Sequence, residues 1–170
     1  FMLTGELMTS ATITDRLVAL SRALIGRIRG GLAQVNVLVS MFFAGMNGSV
    51  VADTATVGAL VLPAMKKAGY PAAFSAAVTG VSSTIGGIIP PSIMMIVLAN
   101  ATEISIASLF AAGIVPGILI GVVIMVINHY FAVKYNFERS DEPFSVRRAG
   151  KELYRSSFAL LIPLVLVGSV

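Results

Sequence analysis

GGLAQVNVLVSMFFAGMNGSVVADTATVGALVLP, residues 30–63, is the stretch on which the fold turns. It is apolar except for a polar knot, Asn47-Gly48-Ser49, and a single charge, Asp53. A straight helix of this length would run about 50 Å at 1.5 Å per residue, against a bilayer hydrocarbon core of about 30 Å. The chain must therefore turn back on itself. Arg27 and Arg29 stand just before the stretch and Lys66 and Lys67 just after it, and basic flanks of this kind mark the cytoplasmic side. The reading is a helical hairpin with both ends cytoplasmic and its tip at Asn47 to Ser49. Non-helical backbone at membrane depth survives only when buried in protein or lining a wet cavity, because lipid cannot bond its bare N–H and C=O groups. The tip is thus a candidate site.

The composition agrees with a membrane chain: 56% of the 170 residues are hydrophobic, 12% are charged, and the mean hydropathy is +0.92. The basic residues are clustered, four between Arg16 and Arg29, two at Lys66 and Lys67, one at Lys134 and five between Arg139 and Arg155. That clustering ascribes the net charge of +4 to cytoplasmic loops and lipid headgroups and not to a nucleic-acid partner. The absence of cysteine excludes disulfides and thiolate metal sites. Phe1 is not an initiator, and Val170 stands inside an apolar run that begins near Phe158; a piece of a longer protein is expected.

A second interruption lies downstream. Residues 72–101 contain no ionisable group, and Ser82-Ser83-Thr84-Ile85-Gly86-Gly87-Ile88-Ile89-Pro90-Pro91-Ser92 breaks them in the middle. Proline removes a backbone donor, clashes with the preceding turn, and pushes its predecessor out of helical geometry. Two adjacent prolines after two glycines predict two half-helices, residues 72–84 and 92–101, joined by unwound backbone at mid-membrane. The chain also carries Ile13, Leu17, Leu20, Leu24 and Ile28 at helical spacing with arginines opposite, the pattern of an interfacial helix or of a connector between spans. It opens at Thr12 and Asp15, a variant capping box. Residues 106–133 are long enough to span, with Pro116-Gly117 as a point of bending or packing and His129 as an interfacial or packed residue. Residues 1–29 are accordingly read as the end of a preceding helix plus the interfacial arm. Residues 30–101 form the hairpin and broken helix, 102–135 a transmembrane helix, 136–157 a basic cytoplasmic loop, and 158–170 the start of another span.

Half-helix N-termini favour anions and C-terminal carbonyls favour cations. Serine, threonine and asparagine add neutral oxygens suited to a hard cation, and the shortage of carboxylates points to a monovalent one such as sodium. The competing reading is that these hydroxyls bond their own helices and that small residues allow close packing; Thr54, Thr56 and Thr79 are read that way. Asp53, a membrane-embedded acid, is either functional or a structural acid bonded to a neighbouring hydroxyl or helix end.

GGLAQVNVLVSMFFAGMNGSVVADTATVGALVLPAMKKAGY followed by SSTIGGIIPPS closely resembles the large membrane subunit of the tripartite ATP-independent periplasmic (TRAP) transporters. The resemblance covers the chain from Gly5-Glu6-Leu7-Met8 to the basic loop after Lys134. It implies an all-α polytopic membrane protein of the ion transporter superfamily, elevator-type, with a re-entrant hairpin and a broken helix forming much of the first of two inverted repeats. The implied function is a secondary transporter subunit that imports an organic acid anion with sodium as coupling ion. The implied partners are a periplasmic substrate-binding protein, a small membrane subunit and membrane lipid, in the bacterial inner membrane. On this sequence the implied sodium ligands fall on Asn47, Gly48, Ser49, Ser83, Thr84, Gly86 and Pro90, and the candidates for substrate contact are Ser49, Asp53 and Ser92. Asn47 stands where serine is common in the family, and Gly87 where proline is frequent. A proton-coupled transporter, an ion channel and a membrane enzyme using Asp53 and His129 are the alternatives, the last without a nucleophile-base or metal motif to support it.

Overall fold

The computed structural model describes residues 18–21, 25 and 28–137. The Thr12–Asp15 cap, most of the interfacial arm, the basic loop beyond residue 137 and the following apolar run lie outside the described residues. Every described element is helical. Helix α1 spans Gly31–Asn47, α2 spans Val50–Lys67 and α3 spans Ala72–Ser83; a 3-10 turn, Thr84–Gly87, precedes α4, Ile93–Thr102, and α5, Ile106–Lys134.

Each boundary has a local cause. Gly30 and Gly48 flank α1 with left-handed backbone, φ 72° and 60°, a conformation that costs other L-residues about 1–2 kcal/mol. Ser49 caps α2, accepting from the Ala52 N–H at 3.4 Å, and Ser92 caps α4, accepting from the Met95 N–H at 3.3 Å. Helix α2 ends with Lys66 and Lys67 in its last turn, where cations complement the carbonyl end of the dipole. It continues through Pro63, which is exposed. The hairpin's turn is therefore Gly48-Ser49, and the break between α3 and α4 runs from Thr84 to Ser92, both where the sequence predicts interruptions.

Helices α1, α2 and α3 pack on one another, and α5 lies against α1. Their shared core is Val35, Val37, Val39, Phe43, Met46, Val57, Val61, Met65, Val78 and Ile85. Helix α5, at 29 residues, is the described helix long and apolar enough to cross a membrane. It is continuous through Pro116. Its inner face is a stripe of glycines, Gly113, Gly117 and Gly121, against which Ile88, Ile89 and Met41 seat closely. Val115, Leu119, Val126 and Tyr130 are exposed on the rest of the helix, as lipid contact requires. At the other end an aromatic cluster ties the α2–α3 turn to the end of α5: Tyr70 and Phe137 lie 4.6 Å apart between ring centroids, Phe74 and Phe137 5.1 Å. Arg29 adds a donor to Asn136 Oδ1 at 3.3 Å there.

Candidate functional site

The two interruptions, about 40 residues apart in sequence, meet. The Ile93 N–H, the first of α4, donates to the Gly48 carbonyl at the end of α1 at 3.2 Å. A Cβ on Gly48 would collide with the Pro91 carbonyl oxygen, and one on Gly86 would lie 3.6 Å from the Ser49 carbonyl. The N-termini of α2 and α4 and the C-terminal ends of α1 and the 3-10 turn thus converge on one small volume.

Within it, Asn47 is buried and its Oδ1 accepts from the Ser49 N–H at 3.0 Å, which fixes the amide orientation and leaves Nδ2 buried with no hydrogen-bond partner. The free Nδ2 is a donor and suits an anionic acceptor; Oδ1 keeps a second lone pair for a cation. Ser49 is half-buried at the rim. Ser92 is fully buried, and its hydroxyl donates to the Gly87 carbonyl at 2.8 Å, tying the start of α4 to the end of the 3-10 turn. Gly86 and Pro90 are buried in the same region, and the Pro90–Pro91 bond is cis.

The side chains of three further expected site residues have surroundings of their own. Thr84 is exposed and its hydroxyl turns back to the Val81 carbonyl at 2.7 Å. Ser83 is fully buried and donates to the Thr79 carbonyl at 2.8 Å. Asp53 has no exposed surface, and the Ser83 and Ser40 hydroxyls lie beside its carboxylate without either making a hydrogen bond of normal geometry to it. Asp53 stands in the first turn of α2, its backbone N–H donating to the Ser49 carbonyl at 3.0 Å.

Asp53 instead adjoins a buried network that the sequence reading left out. Asn36 Nδ2 donates to Thr79 Oγ1 at 2.7 Å, Ser82 Oγ donates to Asn36 Oδ1 at 3.2 Å, and the Ser40 and Ser82 hydroxyls are 3.2 Å apart. The available signal was spacing: Asn36 and Ser40 are four apart on an apolar helix, and Ser75, Thr79, Ser82 and Ser83 recur at helical steps on the next. Thr79, read as a packing residue, does bond its own helix, donating to the Ser75 carbonyl at 3.0 Å.

Residues 1–170, the whole chain, match the family model of the tripartite ATP-independent periplasmic transporter, DctM component. The chain belongs to this family. Among TRAP permeases it is 38% identical, over all of its length and 40% of the relative's, to the C4-dicarboxylate TRAP transporter large permease protein DctM of Pseudomonas aeruginosa. It is 37% identical, over all of its length and 27% of the relative's, to the sialic acid TRAP transporter permease protein SiaT of Haemophilus influenzae. To the 2,3-diketo-L-gulonate TRAP transporter large permease protein YiaN of Escherichia coli it is 36% identical over 99% of its length and 39% of the relative's. The chain thus spans about two fifths or less of these TRAP permeases. They are transporter subunits and not enzymes, so the membrane-enzyme alternative falls, and His129, exposed on α5, needs no catalytic role.

Proposed function

We propose that the chain is part of a sodium-coupled, elevator-type importer of an organic acid anion, and that the meeting point of Gly48 and Pro91 is half of its coupling site. The supporting observation is the convergence itself: two interrupted helices whose ends, 3.2 Å apart at Ile93 N and Gly48 O, aim both dipole signs at one place. The Asn47 and Ser49 side-chain oxygens, with backbone carbonyls about Gly86 and Pro90, are the cation ligands; neutral oxygens of this kind suit a hard monovalent ion. The free Asn47 amide N–H and the N-terminus of α4, capped by Ser92, face the anion. Helices α1 and α2 form a re-entrant hairpin opening to the cytoplasmic face of the bacterial inner membrane, and α5 is one span of a multi-pass protein. A second hairpin and broken helix from the rest of the full-length protein complete the site. A periplasmic binding protein delivers the substrate, and a small membrane subunit braces the large one.

The relatives' names cover a C4-dicarboxylate, sialic acid and diketogulonate, which carry carboxylates, and isethionate, which carries a sulfonate. An anionic acid group is the substrate feature expected here. Uptake by the full-length transporter in proteoliposomes tests the reading: it should require an inward sodium gradient and the binding protein. Uptake that persists with the sodium gradient collapsed and a proton gradient imposed would favour the proton-coupled alternative, and conductance without saturation would favour a channel.

A further inference from the structure

Every lysine and arginine among the described residues stands at one end of the molecule. They are Arg29 before α1, Lys66 and Lys67 in the last turn of α2, and Lys134 in the last turn of α5. Contacts at that end gather them around one ring cluster. Arg29 donates to Asn136 Oδ1 at 3.3 Å, and the neighbouring Phe137 ring packs on Tyr70 at 4.6 Å. The Tyr70 N–H in turn donates to the Met65 carbonyl at 3.1 Å, which ties the ring to the lysine-bearing end of α2. The three lysines are exposed and Arg29 is half-buried. The described acids do not balance them. Asp53 is fully buried, and Glu103 caps α4 at the opposite end of α5, a 29-residue helix about 40 Å long. That separation is several Debye lengths at physiological salt.

The surface next to these charges indicates which anion fits. Val126, Ile127, Tyr130 and Val133 are exposed on α5 and lead directly to Lys134 and Tyr135. An apolar face that ends in tyrosine and then lysine repeats the order of depth in a bilayer: acyl chain, headgroup boundary, phosphate. Lys134 Nζ lies 5.9 Å from the centroid of the exposed Tyr135 ring, within the range of a cation–π contact, so the ammonium is held at that boundary. Arg29 spends one donor on a neutral carbonyl and keeps the others, with its charge uncompensated. Lys66 and Lys67 complement the carbonyl end of α2 and remain open to solvent. A soluble anion would meet the charges and leave the apolar run unused, whereas a lipid meets both. A zwitterionic headgroup brings a cation that the cluster repels; a net-negative one does not.

We infer that the end of the molecule carrying Arg29, Lys66, Lys67 and Lys134 binds the headgroups of anionic phospholipids, with acyl chains on the outer face of α5. The inference rests on the chain's being a membrane protein and is independent of the coupling-ion reading.

The test is the melting temperature of the purified full-length transporter with its small subunit, in detergent, titrated with phosphatidylglycerol, phosphatidylcholine or glycerol phosphate. Phosphatidylglycerol should raise it saturably, and the zwitterionic lipid and the free headgroup should not. Lys134→Gln and Arg29→Gln should each weaken the apparent affinity for phosphatidylglycerol about fivefold, the Lys66→Gln, Lys67→Gln pair should weaken it further, and Lys134→Arg, which keeps the charge, should leave it unchanged. A photoactivatable phosphatidylglycerol should label residues 130–135 of the wild-type protein, a result that needs no variant to insert. Equal stabilisation by phosphatidylcholine overturns the inference in favour of apolar contact alone, and equal stabilisation by glycerol phosphate in favour of a free-phosphate site. Wild-type affinity in all the glutamine variants, or labelling confined to other segments, overturns it by placing the lipid elsewhere. Sodium dependence of uptake enters none of these outcomes, so the coupling-ion reading stands or falls separately.

Discussion

Ile93 donates its backbone N–H to the carbonyl of Gly48 at 3.2 Å, so the end of α1 is bonded to the start of α4 across two separate chain interruptions. Neither group has a partner within its own helix, since the last carbonyls and first N–H groups of a helix are orphaned. In lipid they would be costly to leave bare. The pairing gives each orphaned group a partner across the two breaks.

Gly48 is the point at which that pairing is most sensitive. Its φ of 60° and the Pro91 carbonyl facing it both exclude a Cβ, whereas Gly69, φ 79°, has open space around it. Gly69→Ala should cost only the backbone strain, about 1–2 kcal/mol. Gly48→Ala adds a clash with backbone that cannot rotate away, and should lower the melting temperature of the purified full-length transporter further and abolish uptake. Equal effects of the two substitutions would show that the tip and the break are not in contact.

The interruptions were legible because their residue chemistry is strong: Pro90-Pro91 cannot continue a helix, and Asn47-Gly48-Ser49 supplies a left-handed position followed by a cap. Their meeting was not. It depends on Ile93 N, the Pro91 carbonyl and the lack of a side chain at Gly48, and backbone groups leave no signature in sequence. Asp53 shows a second limit. An acid at membrane depth is conspicuous in sequence, but its full burial beside the Ser40 and Ser83 hydroxyls depends on how α1 and α3 pack on α2. The polar spacing of Asn36 and Ser40 was present but lay among residues whose hydroxyls and amides equally suit packed helices.

The Asn36–Thr79 bond, 2.7 Å and fully buried, fixes α1 against α3. Asn36→Ala removes the bond to Thr79 Oγ1 and the one from Ser82 Oγ, leaving both hydroxyls only their own-helix carbonyls and Ser40, and should destabilise the full-length protein by about 1–3 kcal/mol. Thr79→Val removes the same bond from the other side without changing volume much. A double-mutant cycle between the two should give a coupling energy of about 0.5–3 kcal/mol. Simple additivity would mean that the bond contributes nothing beyond its separate groups.

The glycine stripe of α5 should be unequally sensitive. At Gly113 a Cβ would lie 2.5 Å from the Ile88 carbonyl oxygen, a backbone atom, while at Gly121 it would lie 2.5 Å from the flexible Met41 sulfur. Gly121→Ala should be absorbed by a rotamer change of Met41. Gly113→Ala should displace the broken segment, lowering both thermal stability and the uptake rate. The opposite order would indicate that α5 and the break are not seated as described.

The central claim is that the hairpin tip and the helix break hold the coupling cation together, and sodium activation of uptake at graded sodium concentrations tests it most directly. Ser49→Ala removes one neutral oxygen at the rim without adding bulk, and helix-compatible replacement of both Pro90 and Pro91 redirects the carbonyls of the break. In the reconstituted full-length transporter, Ser49→Ala should raise the sodium concentration needed for half-maximal uptake on the order of tenfold while the protein stays folded and inserted. The Pro90-Pro91 replacement should be more severe. Unchanged sodium dependence in both variants would contradict the assignment and place the coupling ion elsewhere.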